Sequence, residues 1–393
     1  MEQYGFSIDP MELLTEGYRL TETVLRETDK LSDEIGFLVR SWANDDCYDY
    51  LCNTHGLPVL ARNESGNPSF NKAALSQYAQ FPNAPVKHVL KMMEIRKMKT
   101  LNDLFVCNWQ DKHLDGVLHP SFNQSVRTAR MSCKDPNAQQ FSKEAKMLIH
   151  PRPGMSFIDC DYSQIEFRLI VHYIQDAAAI AAYHNNPDTD FHTWVAEMCG
   201  IPRRPAKNVN FCIGYGGGKR RVLKMLSNSM DLMQTIRDEI AGKVENEEEA
   251  FELLAEQKAN SVYRRYHDTL PNLRYMTKQA SIALKQKGYV YNGAGRHRHL
   301  PIKFAHKAFN SLCQSFAADI MKERLVALWK MLKTTNFRLA CSVHDSFLLE
   351  GPTEEVEAIR RPLLDCLESP KYNLRVPIRA DFTHSDKSWG ECA

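Results

Sequence analysis

Two aspartates, far apart in the chain, and one helix-length stripe of residues are the groups in this sequence best able to do chemistry. Asp161 closes the run Phe157-Ile158-Asp159-Cys160-Asp161, which reads as a short buried strand leading straight into a helix. Ser163 to Glu166 follows in the S-x-x-E spacing of a capping box, so Asp161 is expected at a strand-to-helix junction, projecting from a rigid edge. Asp345 sits in His344-Asp345-Ser346 between the apolar runs 339–343 and 347–350, the pattern of a β-hairpin with His-Asp at its turn. Taken singly, Asp161 has helix capping as its alternative reading, and a lone His-Asp turn reads as structural. As a pair on strands of one sheet, they are what two-metal phosphoryl transfer requires. Two hard cations about 3.5–4 Å apart take carboxylate oxygens as ligands and complete their shells with substrate phosphates.

The stripe is the more specific feature. Arg203, Lys207, Phe211 and Tyr215 recur every fourth residue. On an α-helix each such step rises about 6 Å and drifts about 40°, so the four form one slanting row. Its first half is cationic and its second aromatic, the order needed to lay a nucleoside triphosphate along the helix. Pro202 and Pro205 fit a helix start here, with the positive end of the helix facing the phosphates. Without the aspartates the same pattern reads as an amphipathic helix with snorkelling cations.

Around these groups the chain reads as helical lobes on a small sheet. Residues 11–52 show the leucine spacing of long, charged, amphipathic helices, and Gly56-Leu57-Pro58 breaks them. A second helical stretch, roughly 70–106, carries Lys87, Lys91, Arg96, Lys97 and Lys99, a basic edge suited to gripping a nucleic-acid backbone or to an ordinary bundle. Residues 203–330 read as mainly helical, interrupted by Gly216-Gly217-Gly218 and by the turn Asn292 to Gly295. Within them, Glu245 to Glu256 reads as a solvated acidic helix.

Bulk composition is that of an ordinary globular chain: 393 residues, 43% hydrophobic and 25% charged, with a formal net charge of +2. Overall charge therefore does not mark a nucleic-acid binder; local clustering would have to, and the basic clusters at 87–99, 203–207, 219–224 and 296–303 each read equally well as a solvated face. The eleven cysteines form no CxxC pair and are odd in number, which points to free thiols in a reducing compartment. The first ten residues lack the apolar core of a secretory signal, and no apolar run reaches membrane-span length. A cytoplasmic setting is expected.

Several ordered motifs then resemble the family A DNA polymerases, the DNA polymerase I family, over nearly the whole chain. DYSQIEFR at 161–168 looks like their motif A, RRPAKNVNFCIGYG at 203–216 like motif B, and VHDS at 343–346 like motif C. TARMSCKDPNAQQ at 128–140, FNSLCQSFAADIMK at 309–322, the opening MEQYGFSID, THGLPV at 54–59 and the closing Trp389-Gly390-Glu391 are similar to further family segments.

The resemblance implies an α+β right-hand fold, an antiparallel palm sheet with mainly helical fingers and thumb. It divides the chain into a thumb region with basic helices (1–127), a first palm part with motif A (128–200), fingers with motif B and an acidic insertion (201–295), and a second palm part with motif C (296–393). It implies a primer-dependent DNA polymerase using two Mg²⁺ ions, which Mn²⁺ can replace. Asp161, Asp345 and the Tyr162 carbonyl would hold the metals. Arg203, Lys207 and His192 would hold the triphosphate, with Gln164 also at the nucleotide. Phe211 would meet the sugar, Tyr215 would guard the templating position, and Glu166 would exclude a ribose 2′-OH. Arg130, Asn310, Gln314 and His344 would contact primer-template DNA.

Departures bear on this carry-over. Ser346 stands where these enzymes usually have Glu, which puts the fine structure of the metal site in question; Ala129 replaces a usual Gly, and His306 a common Arg. The chain begins where the thumb does, so no proofreading 3′–5′ exonuclease is expected in it. Expected partners are primer-template DNA and dNTPs, with an exonuclease, helicase or processivity factor on separate chains; the protein is expected to be monomeric and off the membrane. Single-subunit RNA polymerases share the palm and a His-Asp-Ser motif C, but Glu166 and Phe211 favour deoxynucleotides. A non-catalytic DNA-binding module is a third reading, and Glu166 leaves RNA templates open.

Overall fold

The structure, a computed structural model, describes residues 1–392 except 82, 228 and 245. Its centre is a four-stranded antiparallel sheet in the order Ala380–Ser385, Met155–Tyr162, Ser346–Pro352, Arg338–Val343. Alternation along the Asp161 strand assigns its two faces. Ile158, Cys160 and Tyr162, with Phe347 and Leu349, pack against the helices Ala308–Leu332 and Val356–Glu368. Phe157 and Leu348 face the other way, toward Phe6, Phe141 and Trp389. Both faces are covered, which is why this strand reads as a nearly continuous apolar run.

The hairpin predicted around Asp345 forms, with Val343 opposite Ser346 and a two-residue turn between them. His344 takes the left-handed conformation that such a tight turn demands, at φ 52°. A bulge at Ala340 shifts the register farther along the Arg338–Val343 strand.

The N-terminal helix runs Pro10–Ile35, shorter than the helical reading of 11–52. Asp9 caps it with Pro10 in its first turn, and Gly36 ends it at φ 93°, a left-handed conformation that a side chain would strain. The chain becomes helical again at Asn44–Tyr48 and continues as a π-helical turn, Asp49–Thr54. The 70–106 stretch is two helices, Lys72–Tyr78 and Val86–Leu101, the second running on through Asn102–Val106. Its basic edge differs from the expectation of free cations for a backbone. Lys87 and Lys91 pair with Glu34 and Glu27 of the N-terminal helix at 2.8 and 2.6 Å, Lys97 with Glu144 and Lys99 with Asp103. The Arg96 guanidinium donates to the Ser41 and Phe70 carbonyls. These charges tie the helix to its neighbours, within the lobe and, through Lys97 and Glu144, beyond it.

Helices Phe191–Cys199, Arg203–Gly214, Glu247–Thr269 and Asn272–Lys287 share one apolar core built on Phe191, Val209, Ile213, Val262, Tyr266 and Leu273. The acidic helix forms as expected from Glu247, capped by Asn246; its acids crowd the first turns, where the helix dipole favours negative charge. Glu245 of that reading lies outside the described residues. Among the described residues no helix is long and apolar enough to cross a membrane.

Glu350, on the second strand of the hairpin, is fully buried and accepts from the Arg152 backbone N–H and guanidinium, both at 2.5 Å. That guanidinium in turn stacks over the Tyr4 ring at 4.1 Å. Replacing Glu350 with Ala leaves Arg152 without its carboxylate and opens a hole beside the sheet. The expected loss is about 3–5 kcal/mol, read as a lower urea midpoint at unchanged slope.

Candidate active site

The sheet delivers Asp161 and Asp345 to one end. Asp161 is the register partner of Ser346, and the Tyr162 N–H donates to the Asp345 carbonyl at 3.0 Å. Asp161 on its strand and Asp345 in the turn that enters the neighbouring strand are therefore held side by side by a backbone hydrogen bond. Asp161 opens to solvent while protein surrounds it on the sheet side. Burial, then the charges of Asp345, Asp159 and Asp381, push its pKa up to about 7, against the pull of Lys207. Asp345 is raised by burial, opposed by its own backbone N–H, Arg130, His344 and Lys207. Like charges held this close call for a cation.

The two carboxylates offer oxygen donors only. They fit a hard divalent ion, which takes further ligands from substrate phosphates and water. Among the described residues no group of three or more His, Cys, Asp or Glu side chains is arranged to hold a metal.

After Asp161 the chain departs from the capping box expected at Ser163 to Glu166. Helix Ile165–Ile174 is entered through Gln164 in a left-handed conformation, φ 53°, with no side-chain cap. This sharp entry leaves the Glu166 end of the supposed box to another partner. The Glu166 carboxylate accepts from the Arg130 guanidinium, and burial raises its pKa while Arg130 opposes the rise. Gln164 donates to Asp190 at 2.9 Å.

The stripe forms on helix Arg203–Gly214, with Pro202 as the residue before its first turn. Tyr215 lies one residue beyond the helix end, so the row overruns the helix by its last member. Arg203 and Lys207 are exposed, Phe211 and Tyr215 half-buried, and their rings sit 5.8 Å apart. Gly214 lets this helix press onto the Glu166 helix: a Cβ there would come within 2.8 Å of Ile170. Lys207 bears on both Asp161 and Asp345, which ties the stripe electrostatically to the acid pair.

His192 is placed beside the stripe, 5.6 Å from the Phe211 ring, but not as a cation. It is 3% exposed, and its Nδ1 meets the Asn210 amide at 2.8 Å. Burial, helped by Lys207 and Arg203 against Asp190, pushes its pKa down to about 4, so the ring is neutral near pH 7.

Arg130, Glu166, His344 and Asp345 line one small gap, with Ala317, Ala318 and Met321 of helix Ala308–Leu332 as its wall. Asn310 and Gln314 lie on that helix one turn apart and up to two turns before this wall. The Asn310 side-chain oxygen is buried without a partner.

Three acids escaped the sequence reading. Asp381 is the register partner of Asp161 on the opposite side from Ser346, a pairing between distant strands that no local pattern signals. Asp159 is buried and accepts from the Trp389 indole at 3.1 Å, while its other oxygen has no partner. Asp190 gathers Gln164, Thr193, Arg203 and the His192 N–H; burial works against ionisation, but these donors bring its pKa down to about 2. Its position before the helix-forming run Phe191–Cys199 is an N-cap signature that could have singled it out.

The family model described as DNA polymerase family A matches residues 18–391. DNA polymerase I, thermostable, of Thermus aquaticus is 26% identical over 412 residues, covering 97% of this chain and 45% of that protein. DNA polymerase DpoZ of Salmonella phage PMBT28 is 28% identical over 373 residues, covering 86% of this chain and 57% of that protein. The chain thus spans about half the length of these curated relatives. In fold it matches the POL domain of Pol1 from M. smegmatis, solved in complex with DNA primer-template and dNTP, at a TM-score of 0.82 and 21% identity. That match covers 99% of this chain and 68% of the other. The α+β right-hand architecture expected from the motifs is the one observed, and the chain belongs to DNA polymerase family A.

Proposed function

We propose that this chain is a template-directed, primer-dependent DNA polymerase that adds dNTPs to a 3′-OH. The observation that carries this reading is the placement of Asp161 on one strand and Asp345 in the turn entering its hydrogen-bonded neighbour, within the field of Lys207 on the cationic-aromatic helix. The names of the relatives and the DNA and dNTP bound to the Pol1 domain are consistent with it. In the reaction the primer 3′-oxygen bonds to the α-phosphorus, the bond to the β-phosphate oxygen breaks, and pyrophosphate leaves while the hydroxyl proton passes to solvent.

We assign two divalent cations, Mg²⁺ or Mn²⁺ in its place, to Asp161, Asp345 and the Tyr162 carbonyl. When bound, they stabilise charge on the attacking and leaving oxygens. Arg203 and Lys207 hold the triphosphate, the first oriented by Asp190, with His192 and Gln164 beside them as neutral groups. Phe211 packs on the sugar and Tyr215 sits where the template base turns in. Glu166 fills the space beside the sugar C2′, and its ion pair with Arg130 fixes it there. Arg130, Asn310, Gln314 and His344 line the path of the primer-template end. In this assignment 1–127 is the thumb, 128–200 and 296–393 the palm, and 201–295 the fingers.

Asp161→Ala and Asp345→Ala are each expected to slow primer extension by at least about 10²–10³-fold, the scale for removing one preorganised electrostatic group. Binding to primed DNA should persist. Extension at the parental rate by either variant refutes the metal assignment. Glu166→Ala is expected to raise ribonucleotide incorporation relative to deoxynucleotide, measured by paired kcat/KM values; an unchanged ratio removes Glu166 from the gate. A mismatched primer 3′ end should stay uncut when incubated with this chain without dNTPs, and its shortening on a sequencing gel contradicts the assignment of polymerisation alone.

A further inference from the structure

Asp159 has no part in the chemistry assigned above, yet it stands beside the pair that does. Residues 159 and 161 are two apart on one strand, so alternation turns both side chains to the same face. Their register partners, Leu348 and Ser346 on one side and Thr383 and Asp381 on the other, share that face. Ser346, the diagonal neighbour of Asp159, is a short side chain. Asp381 is exposed, and water satisfies it; Asp159 is only 8% exposed.

One Asp159 oxygen accepts from the fully buried Trp389 indole at 3.1 Å, which fixes the carboxyl in place. The other oxygen is buried with no partner among the described residues. Lys146 lies over the Trp389 ring at 4.4 Å and makes no ion pair with Asp159 among those residues. Neither protonation state removes the deficit. Ionised, the free oxygen lacks a donor or a cation; protonated, its hydroxyl lacks an acceptor. Anchoring Trp389 uses one oxygen and requires no charge, so it does not account for an acid here. Asp159 and Asp345 lie within each other's field, as do Asp159 and Asp161.

We infer that Asp159 is a positioning residue for the metal site: its free oxygen accepts from a water bound to the cation that Asp161 and Asp345 hold. The inference rests on the metal assignment above. No three acids are arranged to grip an ion directly among the described residues, so Asp159 acts through water. The lengths agree. Two positions along a strand are about 7 Å apart. A carboxylate–Mg²⁺ bond and a Mg²⁺–water bond of about 2.1 Å each, followed by a hydrogen bond of about 2.7 Å, cover that span. Water on a divalent ion is a strong donor, because the ion draws charge from it. A carboxylate that orients such a water strengthens the seat of the ion without touching it.

Mn²⁺ binding tests this without turnover. It is read by electron paramagnetic resonance on the protein bound to primer-template, with no dNTP and with the DNA alone as blank. Asp159→Asn keeps an acceptor for Trp389 and is expected to weaken Mn²⁺ binding about 10–100-fold, the scale for losing an outer partner of a metal site. A merely structural role does not move that affinity in a folded variant, so a parental value overturns the inference. Asp161→Ala is the reference. If it too binds Mn²⁺ like the parent, the metal assignment fails and this inference with it. If it loses the ion while Asp159→Asn keeps it, only the role of Asp159 falls. Should Asp159→Asn not fold, anomalous diffraction from crystals of the unaltered complex with Mn²⁺ decides. A metal-bound water within about 3 Å of the free Asp159 oxygen supports the role; an ion whose waters do not reach that oxygen overturns it.

Discussion

Two like charges have to be kept together against their own repulsion, and the rest of the molecule is arranged around that need. Coulomb repulsion between carboxylates at an end of a sheet partly screened from water is costly; with burial as the larger cause and Asp345, Asp159 and Asp381 adding to it, the Asp161 pKa is pushed up to about 7. A flexible loop would relieve the strain by moving apart. A strand register does not: Tyr162 N–H to Asp345 carbonyl and Asp161 opposite Ser346 fix both backbones. Burial of Phe157, Phe347, Leu348 and Leu349 on the two faces keeps the strands themselves from sliding. Lys207 and Arg130 reach the pair from separate elements and offset part of the repulsion.

The same arrangement explains what could be read in advance. Asp161 and Asp345 were legible because each ends or turns an apolar run, and apolar runs broken by a turn are local signals. The stripe was legible because helical period is local too. Asp381 was not, since its relation to Asp161 is a pairing of strands more than two hundred positions apart in the chain. The capping-box reading failed for a different reason. Ser163 and Glu166 have the right spacing, but Gln164 enters the helix from the left-handed region, and Arg130 outbids the backbone for the Glu166 carboxylate.

The lysines of the 87–99 helix make a related point. Counting cations located a basic edge, whereas partner carboxylates on Pro10–Ile35 lie in another part of the sequence and cancel it. Sign and number of charges are in the sequence; their neighbours belong to the fold.

The Tyr162 N–H to Asp345 carbonyl bond has a mechanical consequence. Neighbouring antiparallel strands keep a spacing of about 4.8 Å set by their ladder, so the sheet acts as a fixed gauge between the two acids. The helix bearing Arg203 and Lys207 shares a core with Phe167 and Ile170 of the helix that follows Asp161, and Pro10–Ile35 brings Leu13 and Leu20 against Phe157 and Leu348; neither is part of the ladder. Rotation of either about its seat changes what is presented to the carboxylates and leaves their separation alone.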